Sequence, residues 1–332
     1  MLYYRPQAHL NLMDYGILVP LKDERASLSL KKLACEHNFQ KALRIGFLKP
    51  DDLKQVFEAS FIDRLWGKEL EQEIIKTFEL INANGEFHRY DPLLKKKDFS
   101  QLRDSILLQC EGTLESCQLA LKNQSFVYHF GGGLHHGHYD HGSGFCLLND
   151  LVLAVVLLKK QGLLKSAWVL DIDAHKGDGT AAMLRDKKWV KTLSIHMKEG
   201  WPLDSDRLDE FGKLKPCFVP SDLDIEIQKG EEIHYLPRLQ EGLEKMQQQY
   251  GLPDLCLIVG GEDPWQGDGL PGSALLQLTS EQMLQRDLMV YDFFKKNAVP
   301  QVWTLGGGYG ELSWTMYYQF LAELRDSQRE KI

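Results

Sequence analysis

Five short apolar runs, each leading into a polar cluster, with helically spaced stretches between them, constrain this fold more than anything else in the sequence. They are "SFVYHF" (125–130), "SAWVLDID" (166–173), "KTLSIH" (191–196), "DLCLIVGG" (254–261) and "PQVWTLGG" (300–307). Runs that are continuously apolar rather than alternating read as strands covered on both faces. Between them, "LLNDLVLAVVLLKKQG" (147–162) closes on Lys-Lys and glycine, as a helix C-terminus does. "EEIHYLPRLQEGLEKMQQQYG" (231–251) has similar spacing, and "SEQMLQRDLMVYDFFKKN" (280–297) opens on Ser280 as its expected N-cap. Strand alternating with helix predicts an α/β fold, a central parallel sheet with helices on both faces. Ligands of such sheets bind beyond the carboxyl ends of the strands. The polar clusters fall there: His135–His141, Asp171–Asp178, Glu262–Asp268 and Gly306–Tyr309. One shared site at the strand ends accounts for all four.

Residues 1–124 hold helical stretches around 51–65, 68–82 and 99–122 with no linker-like segment, so a single domain over 1–332 is expected. The net charge of −8 argues against direct nucleic-acid binding, which needs clustered Lys and Arg. It mildly favours a basic partner. No run reaches the apolar length of a membrane span, and the N-terminus does not read as a signal peptide. The six cysteines (35, 110, 117, 146, 217 and 256) are scattered without a Cys-x-x-Cys pair. They read as reduced thiols, and the cytoplasm is the expected compartment.

"VLDIDAHKGDG" (169–179) is the strongest local signal. On an extended strand end Asp171, Asp173 and His175 point to one side. Two carboxylates there need a cation or proton donors to compensate them. Asp173 and His175, with one oxygen ligand from another strand end, make a three-ligand site with an open position, the arrangement of catalytic zinc. Asp263 in "GGEDPWQGDG" directly follows an apolar run and supplies the third ligand. Mixed imidazole and carboxylate suit Zn²⁺, Fe²⁺ or Mn²⁺ and disfavour Mg²⁺ or Ca²⁺. The blander alternative is that such aspartates only cap helices and form turns, as Asp178 before Gly179 would. "GGGLHHGHYDHGSGF" (131–145) crowds His135, His136, His138 and His141 into one glycine-rich turn, either a catalytic loop or a surface loop rich in histidine.

Taken in order, "GGGLHHG…GFCLLND", "DIDAHKGDG", "SIH", "GGEDPWQGDGL" and "LGGGY" resemble the motifs of the metal-dependent histone deacetylase family. The resemblance is clear from about 125 to 310. "HLNLMDYGILVPLKDERASL" (9–28) and "PSDLDI" (220–225) are similar, less specifically, to the bacterial branch. This resemblance implies the arginase/deacetylase fold and a zinc-dependent hydrolase, with Fe²⁺ as the alternative ion. Its substrate would be a protein or peptide with acetyl or other acyl groups on lysine side chains. It implies Asp173, His175 and Asp263 as metal ligands, and His135 and His136 as a catalytic pair oriented by Asp171 and Asp178. Tyr309 would polarise the scissile carbonyl. Phe145 would form one wall of the narrow acyl-lysine channel; independently of the family pattern, Trp201 with Pro202 is expected as a second wall, with Gly144 and Leu270 also along the channel. Asp171, Asp173, His175 and Ser194 resemble a structural K⁺ site. In this scheme His136 accepts the proton of water, and His135 assists electrostatically or as an acid.

Several positions depart from the family pattern. Lys176 stands where relatives carry His or Gln and is expected to point away from the ligands by strand alternation. Glu262 replaces a small or apolar residue and is expected to bear on metal affinity. The 197–212 segment differs in composition. Leu270 replaces the glutamate of polyamine deacetylases, which counts against polyamines and other small acetylated amines. A two-metal ureohydrolase would need further aspartates, and only Asp268 is near. A silent acyl-lysine-binding module would be expected to lack Tyr309, a tandem histidine or a ligand, and all are present. His138 and His141 are expected as rim residues, His129 as a packed histidine and His196 as structural. His9, His37, His88 and His234 belong to no constellation.

Overall fold

In the computed structural model, which describes residues 1–35, 39–82, 84–327 and 329–330, all five runs form strands of one sheet. These are β2 (Phe126–His129), β3 (Ala167–Asp171), β4 (Val190–Met197), β6 (Leu255–Val259) and β7 (Gln301–Thr304). Two further strands were not expected from the sequence: β1 (Leu2–Tyr3) and β5 (Leu223–Ile227). Both are edges of the seven-stranded order β1-β2-β7-β6-β3-β4-β5, in which every pair is parallel. The physical reason is plain. β1 is two residues long, and β5, "LDIEI", is half-exposed and carries charge, as edge strands often do.

Among the described residues ten α-helices complete the α/β domain. They are α1 (Glu24–Lys32), α2 (Pro50–Leu53), α3 (Ala59–Trp66), α4 (Leu70–Thr77), α5 (Phe99–Asn123), α6 (Asp150–Lys160), α7 (Asp178–Leu184), α8 (Tyr235–Tyr250), α9 (Ser280–Lys296) and α10 (Trp314–Asp326). Side chains alternate across the sheet and feed two cores. Val127, Val169, Leu257 and Val302 pack with α3 to α6, whereas Tyr128, Trp168, Ile258 and Trp303 pack with α1 and α8 to α10. That architecture is consistent with the arginase/deacetylase fold that the motifs imply. The cap of α9 is Thr279 rather than Ser280: its hydroxyl accepts from Gln282 N in a capping box. No helix among the described residues is long and apolar enough to cross a membrane. All six cysteines are free, and five of them are buried.

α5 runs behind the sheet and is less amphipathic than a surface helix because it buries charge at its middle. Arg5 Nη1 lies 2.8 Å from Glu111 and its Nη2 2.9 Å from Glu115. The same carboxylates accept the amides of Leu43, Arg44, Gly46 and Leu48. Hydrogen-bonding every oxygen is what makes burial of these charges tolerable. The N-terminal segment is thereby fastened to the sheet edge. Gly112 lies against His129: a Cβ there would approach the imidazole to 2.4 Å. His129 is packed, as expected.

Candidate metal centre and active site

β3 ends at Asp171, so simple alternation stops short of His175. Beyond it the chain turns back on its own carboxylates: Asp173 N donates to Asp171 Oδ1 (3.2 Å) and His175 N to Asp173 Oδ1 (3.0 Å). β6 ends alongside, and its following loop brings in Asp263. Potential ligand atoms of Asp173, His175 and Asp263 lie within 4.8 Å of one another, and all three residues are buried. His175 Nδ1 is 3.2 Å from Asp173 Oδ1 and 2.9 Å from Asp263 Oδ2. Yet Asp263 Oδ2 makes no well-formed hydrogen bond, an unusual state for a buried carboxylate oxygen. Burial and the charge of Asp173 push Asp263 up to about 6. Against burial, contacts with Asp173 and Asp263 raise His175 to about 10. Two close carboxylates and an imidazole, one oxygen orphaned, form a sink for positive charge that fits a borderline divalent cation such as Zn²⁺ or Fe²⁺.

The tandem histidines follow β2 through a tight turn. Gly132 and Gly133 adopt left-handed φ of 68° and 80°. Asp150, at the start of α6, accepts from Gly133 N (3.1 Å) and Leu134 N (2.7 Å). Asn149 Nδ2 donates to Gly137 O (3.1 Å). Thus the "ND" ending "GFCLLND" holds the loop, a role the sequence reading did not assign to either residue. His135 Nδ1 donates to Asp171 Oδ2 at 2.7 Å and His136 Nδ1 to Asp178 Oδ1 at 2.6 Å. The ring centres lie 3.8 Å apart; the remaining nitrogen of each is Nε2, that of His135 3.8 Å from Asp173 Oδ1. Burial opposes charge on both. Asp171 and Asp173 outweigh it at His135, raised to about 9, whereas burial and the charge of His135 leave His136 lowered to about 4.

Two expectations need correction. His138 is no rim residue: it is buried, with Nε2 3.1 Å from the second oxygen of Asp178, so that aspartate holds two histidines. Its partner on the outside, His141, is exposed and bonds Asp140. Lys176 does point away from the ligands, but through the turn after β3 rather than strand alternation. It is buried, with Nζ 2.9 Å from Asp224 on β5. Glu262 also faces away from the ligand set, toward Arg286, whose Nη2 is 3.7 Å distant. Ser194 sits opposite Asp171 in the β3–β4 register, its Oγ 3.0 Å from His196 Nδ1. His37 lies outside the described residues.

Gly144, Phe145, Trp201, Leu270 and Tyr309 meet around a cavity of about 210 Å³ that reaches His136 and His175. Gly144 is required: its φ is 51°, and a Cβ would come within 2.3 Å of the Trp201 indole. Phe145, also left-handed (φ 67°), is held by its amide on Thr77 O (3.0 Å) and by stacking on Phe78. Trp201 crosses the His136 ring edge-on at 4.5 Å. The mouth carries Glu79 paired with Arg89, whose guanidinium lies 5.4 Å from the Phe145 ring centre. The Tyr309 phenol is pushed well above its ordinary range by burial and by Asp263 and Asp173, so it stays protonated as a donor.

Tyr309 is positioned by groups that sequence reasoning missed. Asp268 Oδ2 accepts from Tyr309 N (2.7 Å), Gly310 N (3.0 Å) and Ser313 Oγ (2.6 Å). Asp268 is therefore committed to this turn, and no second metal-ligand trio exists among the described residues. Arg25 Nη1 reaches the carbonyls of Gly307 (3.1 Å) and Gly308 (2.9 Å) from α1. Nothing local in the sequence marks Arg25, since its partners are some 280 positions away.

The model of the histone deacetylase domain matches residues 19–322. An uncharacterised protein of Picosynechococcus is 32% identical over 201 residues, covering 60% of this chain and 61% of that one. Histone deacetylase 2 of Arabidopsis thaliana is 29% identical over 202 residues, 60% of this chain and 48% of the other. Acetoin utilization protein AcuC of Bacillus subtilis is 35% identical over 99 residues, 30% and 25%. In each case the match spans less than two thirds of the relative's own length. Joined to the ordered motifs and the sheet that gathers them, a match over most of the length decides the family: this chain belongs to the histone deacetylase domain family.

Proposed function

We propose that this protein is a metal-dependent amide hydrolase that removes acetyl or other acyl groups from lysine side chains of proteins or peptides. The observation that carries the reading is one cavity lined by His136, His175 and Tyr309, with Asp173 and Asp263 gathered beside His175 and the carboxylate-anchored His135 stacked against His136. Asp173, His175 and Asp263 would hold Zn²⁺, or Fe²⁺ in its place. When bound, such an ion acidifies water and polarises an amide oxygen.

The remaining work falls to the chain. With Nδ1 bound to Asp178, His136 offers Nε2 to take a proton from the attacking water. His135, anchored on Asp171, offers its Nε2 to stabilise charge and return a proton to the departing amine. Since the rings are in contact, they titrate as a pair. The Tyr309 hydroxyl donates to the developing oxyanion, an interaction typically worth about 100-fold to 1000-fold in rate. Phe145 and Trp201 exclude water around an extended alkyl chain. Leu270, and a Glu79 carboxylate already paired with Arg89, support lysine over a polycationic amine. Asp171, Ser194 and the 173–175 turn would hold the structural K⁺. The proposed setting is the cytoplasm.

The test is hydrolysis of an acetyl-lysine peptide by Zn²⁺- or Fe²⁺-loaded protein, alongside chelated protein and Tyr309→Phe. Activity that needs the metal and drops at least tenfold in Tyr309→Phe is expected. Metal binding with no turnover of acetyl, longer acyl or acetylpolyamine substrates would replace the enzyme by a binding module.

A further inference from the structure

α9 carries an arginine with no exposed surface, Arg286, on the far side of the ligand loops from the channel. Burying a guanidinium is costly, so its contacts bear on its role. Nε and Nη2 each lie 2.8 Å from Asp287 Oδ1, which supplies the counter-charge on the same helix. Nη1 spends its donors elsewhere: 2.9 Å to the carbonyl of Ile172 and 2.8 Å to that of Gly261. Ile172 immediately precedes Asp173, and Gly261 lies two residues before Asp263.

These contacts fall where the sheet stops holding the chain. β3 and β6 pair up to Asp171 and Val259, and one more bond, Ile172 N to Val259 O (3.1 Å), closes the ladder. Past it each strand end becomes a loop presenting a carboxylate to the same point. Like charges so close push the loops apart. One nitrogen bonded to a carbonyl of each loop opposes that spreading from behind, where no ligand or solvent competes.

We infer that Arg286 is a positioning residue that clamps the two strand ends and sets the Asp173–Asp263 spacing for the metal. The inference rests on the proposed metal site but concerns a residue outside it. Glu262 fits the same picture, since its carboxylate faces the guanidinium rather than the ligands.

The test is Zn²⁺ affinity, measured in the cold by competition with a chromophoric chelator, with folding followed by circular dichroism. Arg286→Lys keeps the charge beside Asp287, but a single ammonium cannot also span both carbonyls. Arg286→Met with Asp287→Leu removes both charges together, which buried pairs tolerate better than loss of one partner. Both variants are expected to fold and to bind Zn²⁺ about 10-fold to 100-fold more weakly, the usual effect of losing an outer-shell partner. A purely structural role would lower the melting temperature yet leave the affinity of the folded protein intact. Either folded variant binding Zn²⁺ within twofold of the parent overturns the clamp alone. Failure of both to fold assigns Arg286 to the fold and overturns it too. A parent that binds no Zn²⁺ overturns the metal site and the clamp together.

Discussion

Replacing Gly307 by alanine adds one methyl group at a point where both ligand carboxylates lie close to the backbone. A Cβ at Gly307 would stand 2.7 Å from Asp173 Oδ2 and 2.7 Å from both Cγ and Oδ2 of Asp263. Ordinary contact begins at 3.4 Å, so the carboxylates or the loop must yield by 3.4 − 2.7, about 0.7 Å. The backbone adds no strain of its own, since Gly307 is not among the left-handed glycines, so the effect is the steric one alone. Metal–ligand distances tolerate only about 0.2 Å, less than a third of that displacement. A shift of this order should weaken Zn²⁺ binding by about 10-fold to 100-fold, or about 1.4–2.7 kcal/mol. Misplacement by nearly an ångström should cost kcat up to about 100-fold. The control is Gly272→Ala, on the cavity wall beside His175, where a Cβ meets His175 Nε2 at 3.7 Å, an ordinary contact. Chelator competition and acetyl-lysine peptide hydrolysis should show Gly307→Ala impaired in both and Gly272→Ala close to the parent. Parent-like Zn²⁺ affinity in Gly307→Ala would refute the assignment of Asp173 and Asp263 as a tightly spaced ligand pair.

Other expectations follow from single contacts. Tyr309→Phe should lower kcat by about 100-fold to 1000-fold while leaving Zn²⁺ affinity unchanged; equal loss of both would mean the hydroxyl acts on the metal site rather than the oxyanion. Asp268→Ala strands the donors at Tyr309, Gly310 and Ser313, costing about 1–3 kcal/mol of stability and lowering kcat more than it changes KM. Asp268→Asn, which keeps an acceptor oxygen, should recover much of both in denaturation and steady-state assays. Burial and Arg5 hold His129 at about 3, below the ordinary 6.5, so acid protonates the unfolded chain first. Stability from this residue is complete above 6.5 and is lost as pH falls toward 3. In urea unfolding His129→Leu should be less stable than the parent at neutral pH. The gap should narrow by about 1.4 kcal/mol per unit below the unfolded value, and a constant gap would sink the argument.

Sequence periodicity was enough for the inner five strands and for α6, α8 and α9, though not for α1, α7 or α10, because both faces of those strands are apolar and burial is a local, cumulative property. The edges escaped it: "LY" is too short to carry a period, and "LDIEI" is polar because one side meets solvent. The chemistry-bearing residues were legible for a related reason. Carboxylates and imidazoles at the ends of apolar runs are anomalous in one dimension, so Asp173, His175, Asp263 and the tandem histidines stood out without coordinates. What packing alone decided is how each is held. Asp171 could have joined the ligands by alternation, but β3 ends and the carboxylate turns to His135. His138 looked like a loop residue until the turn folded it onto Asp178. Arg25, Asp268 and Arg286 act on neighbours' backbone groups, which any arginine or aspartate at the right place can do, so their residue types say nothing beforehand. The sequence by itself determined which groups the site contains, since composition at strand ends is local. Only the tertiary structure decided which group serves which, because hydrogen bonds between distant segments depend on distances that exist only after the chain has packed.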